Sequence, residues 1–324
     1  MRFGAGLWCL QATATAPRHH TRAYREYLAD ARAIESYGYQ SLWLSEHHFF
    51  YDGYCPALLP AAAAALQVTE RLRVGTGMML MPLHDADRSS RMAADIARRY
   101  DGRLDIGLGL GYRPVEFEGK GVAMADRVRL HREGTRMMSD RAAPHGAVIW
   151  AGSATPKGVA RAGARGHGIL LSGANPMTLV RELAAEHRKG WEDAGRPGGI
   201  RPRVAALRNF WVTDDQAERD AVLDWQRASY VLYAGLGWSV SEQDSTRRMD
   251  FVNNVDDALE DAVATAVVGP ASAIVDALHE AAEAGVDDVV FRCAIEGAPP
   301  ETVRAMLGRM ADTVLPETVG LESA

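Results

Sequence analysis

The chain has 324 residues, a formal net charge of -6, 47% hydrophobic and 24% charged residues. That composition suits a globular protein with a full-sized core and gives no electrostatic reason to expect nucleic acid. No uninterrupted apolar stretch is long enough to span a bilayer.

The opening "MRFGAGLWCLQ" has no basic region or cleavage pattern of a signal peptide and reads as a first strand. Cys9, Cys55 and Cys293 are scattered, which argues for a reducing compartment over a disulfide scaffold and makes cytoplasm the expectation. From there, short apolar runs alternate with helix-length segments. Strands are expected at 3–8, 41–45, 72–80, 103–111, 147–152, 167–172, 203–212 and 286–293. Helices are expected at 21–36, 57–68, 88–99, 125–139, 157–166, 176–190, 271–285 and 300–313.

Eight strands, each with a helix downstream, predict an α/β fold of the (β/α)8 TIM-barrel type, one domain over 1–324. A doubly wound sheet is the rival, but residues 9–20 lack the glycine-rich loop that usually follows its first strand. The stretch 213–266 exceeds one helical unit and reads as an insertion between strands seven and eight. Within it, 233–250 is polar and irregular enough for a lid.

Barrel active sites lie at the C-terminal ends of the strands, and four strand ends carry chemistry. "SLWLSEHHF" places Glu46, His47 and His48 after strand two. In extended chain the two imidazoles face opposite ways, so one at most faces the barrel mouth. Either is a hydrogen-bonded structural histidine or one works as acid, base or donor near neutral pH. Metal binding is disfavoured because no zinc-type spacing accompanies them.

"VGTGMMLMP" follows strand three, where Gly75 and Gly77 point to close packing against something flat or to unusual backbone. "DIGLGLGY" alternates Gly107, Gly109 and Gly111, putting all three on one strand face able to admit a planar group. After strand five, Ser153 or Thr155 can cap the next helix, with Pro156 in its first turn; the free amides there suit a phosphate. Arg127 could supply a cation to the same anion, or be an ordinary surface residue. Trp8, Tyr51, Tyr54, Met79, Trp211, Tyr230 and Trp238 are either pocket lining or core. A phosphate seat, a glycine-lined slot and a histidine together suit a flavin mononucleotide better than a sugar.

These segments resemble the luciferase-like flavin-dependent monooxygenases. The resemblance runs through "SLWLSEHHF", through 72–122, through "VIWAGSATPKGVARAGARGHGILLS" and through "VVGPASAIVDALHEAAEAGVDDVVFR", and is least clear across 213–266. It implies a barrel that uses reduced FMN, or in some branches F420. In the FMN branch, O2 and reduced flavin give a C4a-(hydro)peroxyflavin that oxygenates a small or medium organic substrate. It also implies a separate NAD(P)H-dependent flavin reductase, and relatives commonly form homodimers. By resemblance His47 is the catalytically important histidine, with His48 and Glu46 supporting it. Gly77 and Met78 match a pair joined by a non-prolyl cis peptide beneath the flavin ring. Gly152, Ser153 and Thr155 fall in the phosphate segment, and Arg127 matches a phosphate-binding arginine. Leu110 departs from the pattern, standing where an arginine often meets the phosphate; Arg113 is a candidate to compensate. Gly109 replaces the reactive cysteine of bacterial luciferase, which argues against luciferase activity itself. The alternatives are hydride transfer with F420 or FMN and no oxygen incorporation, and a non-catalytic flavin-binding barrel.

Overall fold

The computed structural model describes residues 1–11, 19–50, 53–195, 201–235, 260, 263–295 and 297–321. Eight parallel strands form a closed barrel in the order β1, β10, β7, β6, β5, β4, β3, β2. They are β1 (Arg2–Trp8), β2 (Ser41–Leu44), β3 (Arg73–Leu80), β4 (Leu104–Gly109), β5 (Val148–Ala151), β6 (Gly168–Leu171), β7 (Val204–Arg208) and β10 (Asp288–Arg292). The helices are α1 (His20–Ser36), α2 (Leu58–Gln67), α3 (Ala86–Arg99), α4 (Pro114–Gly119), α5 (Arg127–Arg141), α6 (Pro156–Arg165), α7 (Met177–Asp193), α8 (Gln216–Gly235), α9 (Ala271–Glu283) and α10 (Pro300–Thr313). Among the described residues, no helix is long and apolar enough to cross a membrane.

The chain divides into two compact units, Leu7–Gly152 and Met1–Gly6 with Ser153–Ala324. In the first, the interior is built around Trp43 and Trp150, whose rings meet edge-on at 5.6 Å. A Cβ on Gly75 would come within 2.4 Å of the Trp43 indole, so this glycine makes room for the flat neighbour expected from sequence. Buried Asp105 accepts from Trp150 Nε1 at 3.1 Å and from Arg73 Nε at 2.9 Å, which fixes its place as structural. Asp85 caps α3 by accepting from Arg88 N, and Arg98 and Arg99 sit in its last turn, where the helix dipole favours them.

In the second unit, Phe3 and Phe291 stack at 5.9 Å, and Asp288 binds both Arg2 and Arg203. The strand expected at 203–212 is two strands. β7 ends at Arg208, and Phe210–Val212 forms β8, paired in parallel with β9 (Val267–Gly269) in a separate two-stranded sheet. The break falls at Asn209, whose carbonyl accepts from Val267 N, a tertiary bond that local hydropathy does not encode. The insertion between barrel strands seven and eight therefore contains β8, α8 and β9. The expected lid lies, from 236 onward, outside the described residues.

Candidate active site

The EHH segment leaves β2 and splits its two imidazoles between two carboxylates. His47 Nδ1 is 2.9 Å from Glu116 Oε1, and His48 Nε2 is 2.5 Å from Glu46 Oε1. The two imidazoles thus meet different carboxylates. Both side chains are buried, at 5% and 4% exposure, so neither is a surface histidine.

Glu116 comes from α4, a six-residue helix started by Pro114 and placed just past β4. One oxygen of its buried carboxylate collects three donors: His47, the backbone N–H of His48 at 2.8 Å and Arg113 Nη1 at 3.2 Å. Burial opposes ionisation of Glu116, but the bond from His47, the charges of His47 and Arg113 and the amide of His48 outweigh it and hold the carboxyl below its ordinary value. An ionised Glu116 accepts a hydrogen bond from Nδ1–H of His47, which leaves Nε2 as the ring's acceptor. Tyr112 OH stands 3.2 Å from that nitrogen. Burial, then the charge of Glu116, raises the Tyr112 phenol, so it stays protonated and donates. The edge of Tyr54 and the ring of Phe50 complete the wall around His47.

Glu46 organises the other side. Its Oε1 accepts from His48 and from His84 Nε2 at 2.7 Å, and its Oε2 accepts from Leu80 N at 3.3 Å, tying the segment to the end of β3. Burial again opposes ionisation, and the bonds and charges of His48 and His84 hold the carboxyl low. The ligand atoms of Glu46, His48 and His84 lie within 4.8 Å of one another, a spacing that a metal ion could also use.

The Gly77–Met78 peptide is cis. The register of β3 against β4 shifts between Thr76 and Met79, beside it. Two glycines of β4, and Gly152 just past β5, face this segment. A Cβ on Gly107 would lie 2.1 Å from Thr76 O, one on Gly109 3.0 Å from Met78 Cβ, and one on Gly152 3.1 Å from Met78. Part of the slot expected from alternating glycines is thus filled by the protein's own β3. Gly111 does not share the strand face. It lies beyond β4 with φ +72°, in the region glycine favours, and packs on Phe117.

Leu110 is 39% exposed and offers nothing polar. Arg113 does not stand in for it. Its guanidinium binds Glu116 and His48 O and lies 4.3 Å over the Phe50 ring. Arg127 opens α5, half-buried, and His131 one turn later places Nε2 3.4 Å from Leu108 O, which sets that helix face against the end of β4. In the other unit, Thr155 caps α6 by accepting from Gly158 N at 3.2 Å, with Ser153 Oγ 3.4 Å away. A Cβ on Gly158 would strike Ser153 Oγ at 2.0 Å, so the glycine admits both hydroxyls to the helix start.

The family model described as luciferase-like monooxygenase matches residues 1–143 and 135–288. The chain belongs to the luciferase-like monooxygenase family. Within it, the chain is similar to the 4-hydroxyprotoasukamycin monooxygenase of Streptomyces nodosus subsp. asukaensis, 24% identical over 286 residues, 78% of this chain and 76% of that one. The monooxygenase RslO1 from Streptomyces bottropensis superposes with a TM-score of 0.79 at 21% identity, covering 98% of this chain and 99% of its own. The oxygenating constituent of 3,6-diketocamphane monooxygenase from the CAM plasmid of Pseudomonas putida, solved in complex with FMN, superposes at 0.76 with 16% identity, covering 97% and 98%. Against curated relatives the chain spans between 23% and 76% of their lengths. Sequence reasoning missed Glu116, Tyr112 and His84. The one local signal was the Arg113/Glu116 spacing across Pro114, an i,i+3 ion pair at a helix start.

Proposed function

We propose that the protein is the oxygenating component of a two-component flavin-dependent monooxygenase, using reduced FMN and O2 on a small or medium organic substrate. The observation that carries this reading is the buried His47 held between ionised Glu116 and protonated Tyr112. The glycines facing the cis Gly77–Met78 segment let β3 pack close against them, and a planar cofactor would lie against that segment rather than in the glycines' own space. In the unit Leu7–Gly152, Gly77, Met78 and Gly109 would hold the ring; in the other unit, Ser153, Thr155 and the α6 amides would suit the phosphate. Reduced flavin supplies the electrons that activate O2. The protein binds and orients it, excludes water, and manages one proton. His47 Nε2 takes or returns that proton, Tyr112 donates to the same nitrogen, and Glu116 keeps Nδ1 protonated and stabilises the imidazolium. His48 and Glu46 fix the backbone that carries His47. A separate NAD(P)H-dependent reductase supplies reduced FMN.

The test is turnover of aldehydes, ketones and organic acids with chemically reduced FMN under isotope-labelled O2. Label in the product is expected. Product without label assigns hydride transfer with FMN or F420 instead, and no acceleration of reduced-flavin loss with any substrate assigns a non-catalytic flavin barrel.

A further inference from the structure

The unit formed by Met1–Gly6 and Ser153–Ala324 carries a second buried polar cluster, at the C-terminal ends of β7 and β10. Arg208 is the last residue of β7 and Arg292 the last of β10, and the two strands are neighbours. Arg208 is 2% exposed, and among the described residues its hydrogen bonds go to carbonyls and to Met177, with no carboxylate among them. Its Nη1 donates to the carbonyls of Leu207, Ser172 and Asn175 at 3.0, 3.3 and 3.4 Å, and its Nε has no partner. Arg292 Nη2 donates to Ser229 Oγ at 2.6 Å and Nη1 to Asn209 Oδ1 at 3.4 Å. Asn209 in turn donates to Tyr230 OH at 2.6 Å.

α8 reaches Arg292 and Asn209 of this cluster. Gln226, Ser229 and Tyr230 sit at i, i+3 and i+4, one face of the helix, and Ser229 and Tyr230 already touch the cluster. Gln226 is fully buried, and neither its amide nitrogen nor its oxygen has a partner. A buried amide and a buried guanidinium N–H without acceptors are each costly, and such groups are rare unless something completes them. Burial pushes the Arg208 guanidinium down to about 10, so it remains cationic at neutral pH.

The geometry points to a binding site for an anionic organic substrate here, with Arg208 Nε and the Gln226 amide N–H taking the oxygens of a carboxylate or sulfonate, and Gln226 Oε1 taking a hydroxyl or amine beside it. This names the substrate class of the oxygenase and rests on that reading. A phosphate is the rival occupant. The capped start of α6 already offers a phosphate its own amides and hydroxyls, which favours the organic acid at Arg208.

Calorimetric titration of the full chain at fixed ionic strength with glycolate, acetate and glycolamide tests the assignment, since shape does not exclude molecules so small. Saturable binding of one glycolate per chain is expected, tighter than acetate and at least about tenfold tighter than neutral glycolamide. Arg208→Gln should weaken glycolate about tenfold to a hundredfold while leaving FMN affinity unchanged. Gln226→Leu, which removes no charge, should abolish the preference for glycolate over acetate. No saturable glycolate binding overturns the proposal, as does binding that survives Arg208→Gln and is lost in Thr155→Ala. Loss of FMN but not riboflavin affinity in Arg208→Gln also overturns it, by putting the cofactor phosphate there. Failure of labelled oxygen to enter product would sink the oxygenase reading without altering these titrations.

Discussion

His47 and Glu116 are separated by 69 residues and joined by a 2.9 Å contact between Nδ1 and Oε1, with both side chains buried. The carboxylate also accepts from the backbone of His48, so one group sets both the tautomer of the imidazole and the path of the segment that carries it. This geometry leaves Nε2 as the ring's acceptor, facing Tyr112 OH.

Replacing His47 by alanine should lower substrate oxygenation by about 10²- to 10⁴-fold, the usual worth of a positioned acid or base. Reduced FMN should then be consumed with release of peroxide. The ratio of product to peroxide, measured with any accepted substrate, checks this, and an unchanged ratio contradicts the assigned role.

Glu116→Gln keeps the shape and removes the charge. Turnover should fall while FMN affinity stays within about twofold, because the carboxylate acts through His47. Tyr112→Phe should give a smaller loss, seen in the pH–rate profile more than in binding. A Glu116→Gln enzyme with the wild-type pH profile would contradict the pairing.

The same carboxylate shapes acid stability. Its folded-state pKa lies below the ordinary value of 4.5, so its contribution is fully present above that value and is lost as pH falls through the folded value. Glu46 is depressed in the same sense. Urea unfolding from pH 7 down to about pH 3 should therefore show stability falling below about pH 4.5, with a shallower fall in Glu116→Gln. Identical slopes would show that the depression is absent.

Gly107→Ala should destabilise more than Gly109→Ala. The first added methyl meets a backbone carbonyl at 2.1 Å, which cannot rotate away, whereas the second meets Met78 Cβ at 3.0 Å. Overpacking of this kind costs about 1–3 kcal/mol, with Gly107 at or above the upper end. Thermal unfolding of the two variants gives the order, and the reverse order would contradict the packing described.

Much of the barrel could be read from hydropathy, because buried parallel strands appear as apolar runs and the amphipathic helices between them keep their period. The split at Asn209 was passed over, although Arg208 and Asn209 interrupt the apolar run of Leu207, Phe210, Trp211 and Val212, because the bond from Val267 that pairs β8 outside the barrel comes from far along the chain. The site was half legible. Glu46, His47 and His48 sit together in the chain, while Glu116 and His84 join them through space. The alternating glycines were visible, but their neighbour Met78 was not, so the slot looked emptier than it is. Trp211, a candidate for pocket lining, packs in the small sheet and donates to Glu218.

The most direct measurement is stopped-flow mixing of the protein, loaded with reduced FMN, with aerated buffer, following the visible absorbance of oxidised FMN in wild type and His47→Ala. The wild type should return oxidised FMN more slowly than free reduced FMN, in more than one phase, and His47→Ala should approach the free rate. A wild-type trace indistinguishable from free reduced FMN, with binding of reduced FMN demonstrated, would contradict the account.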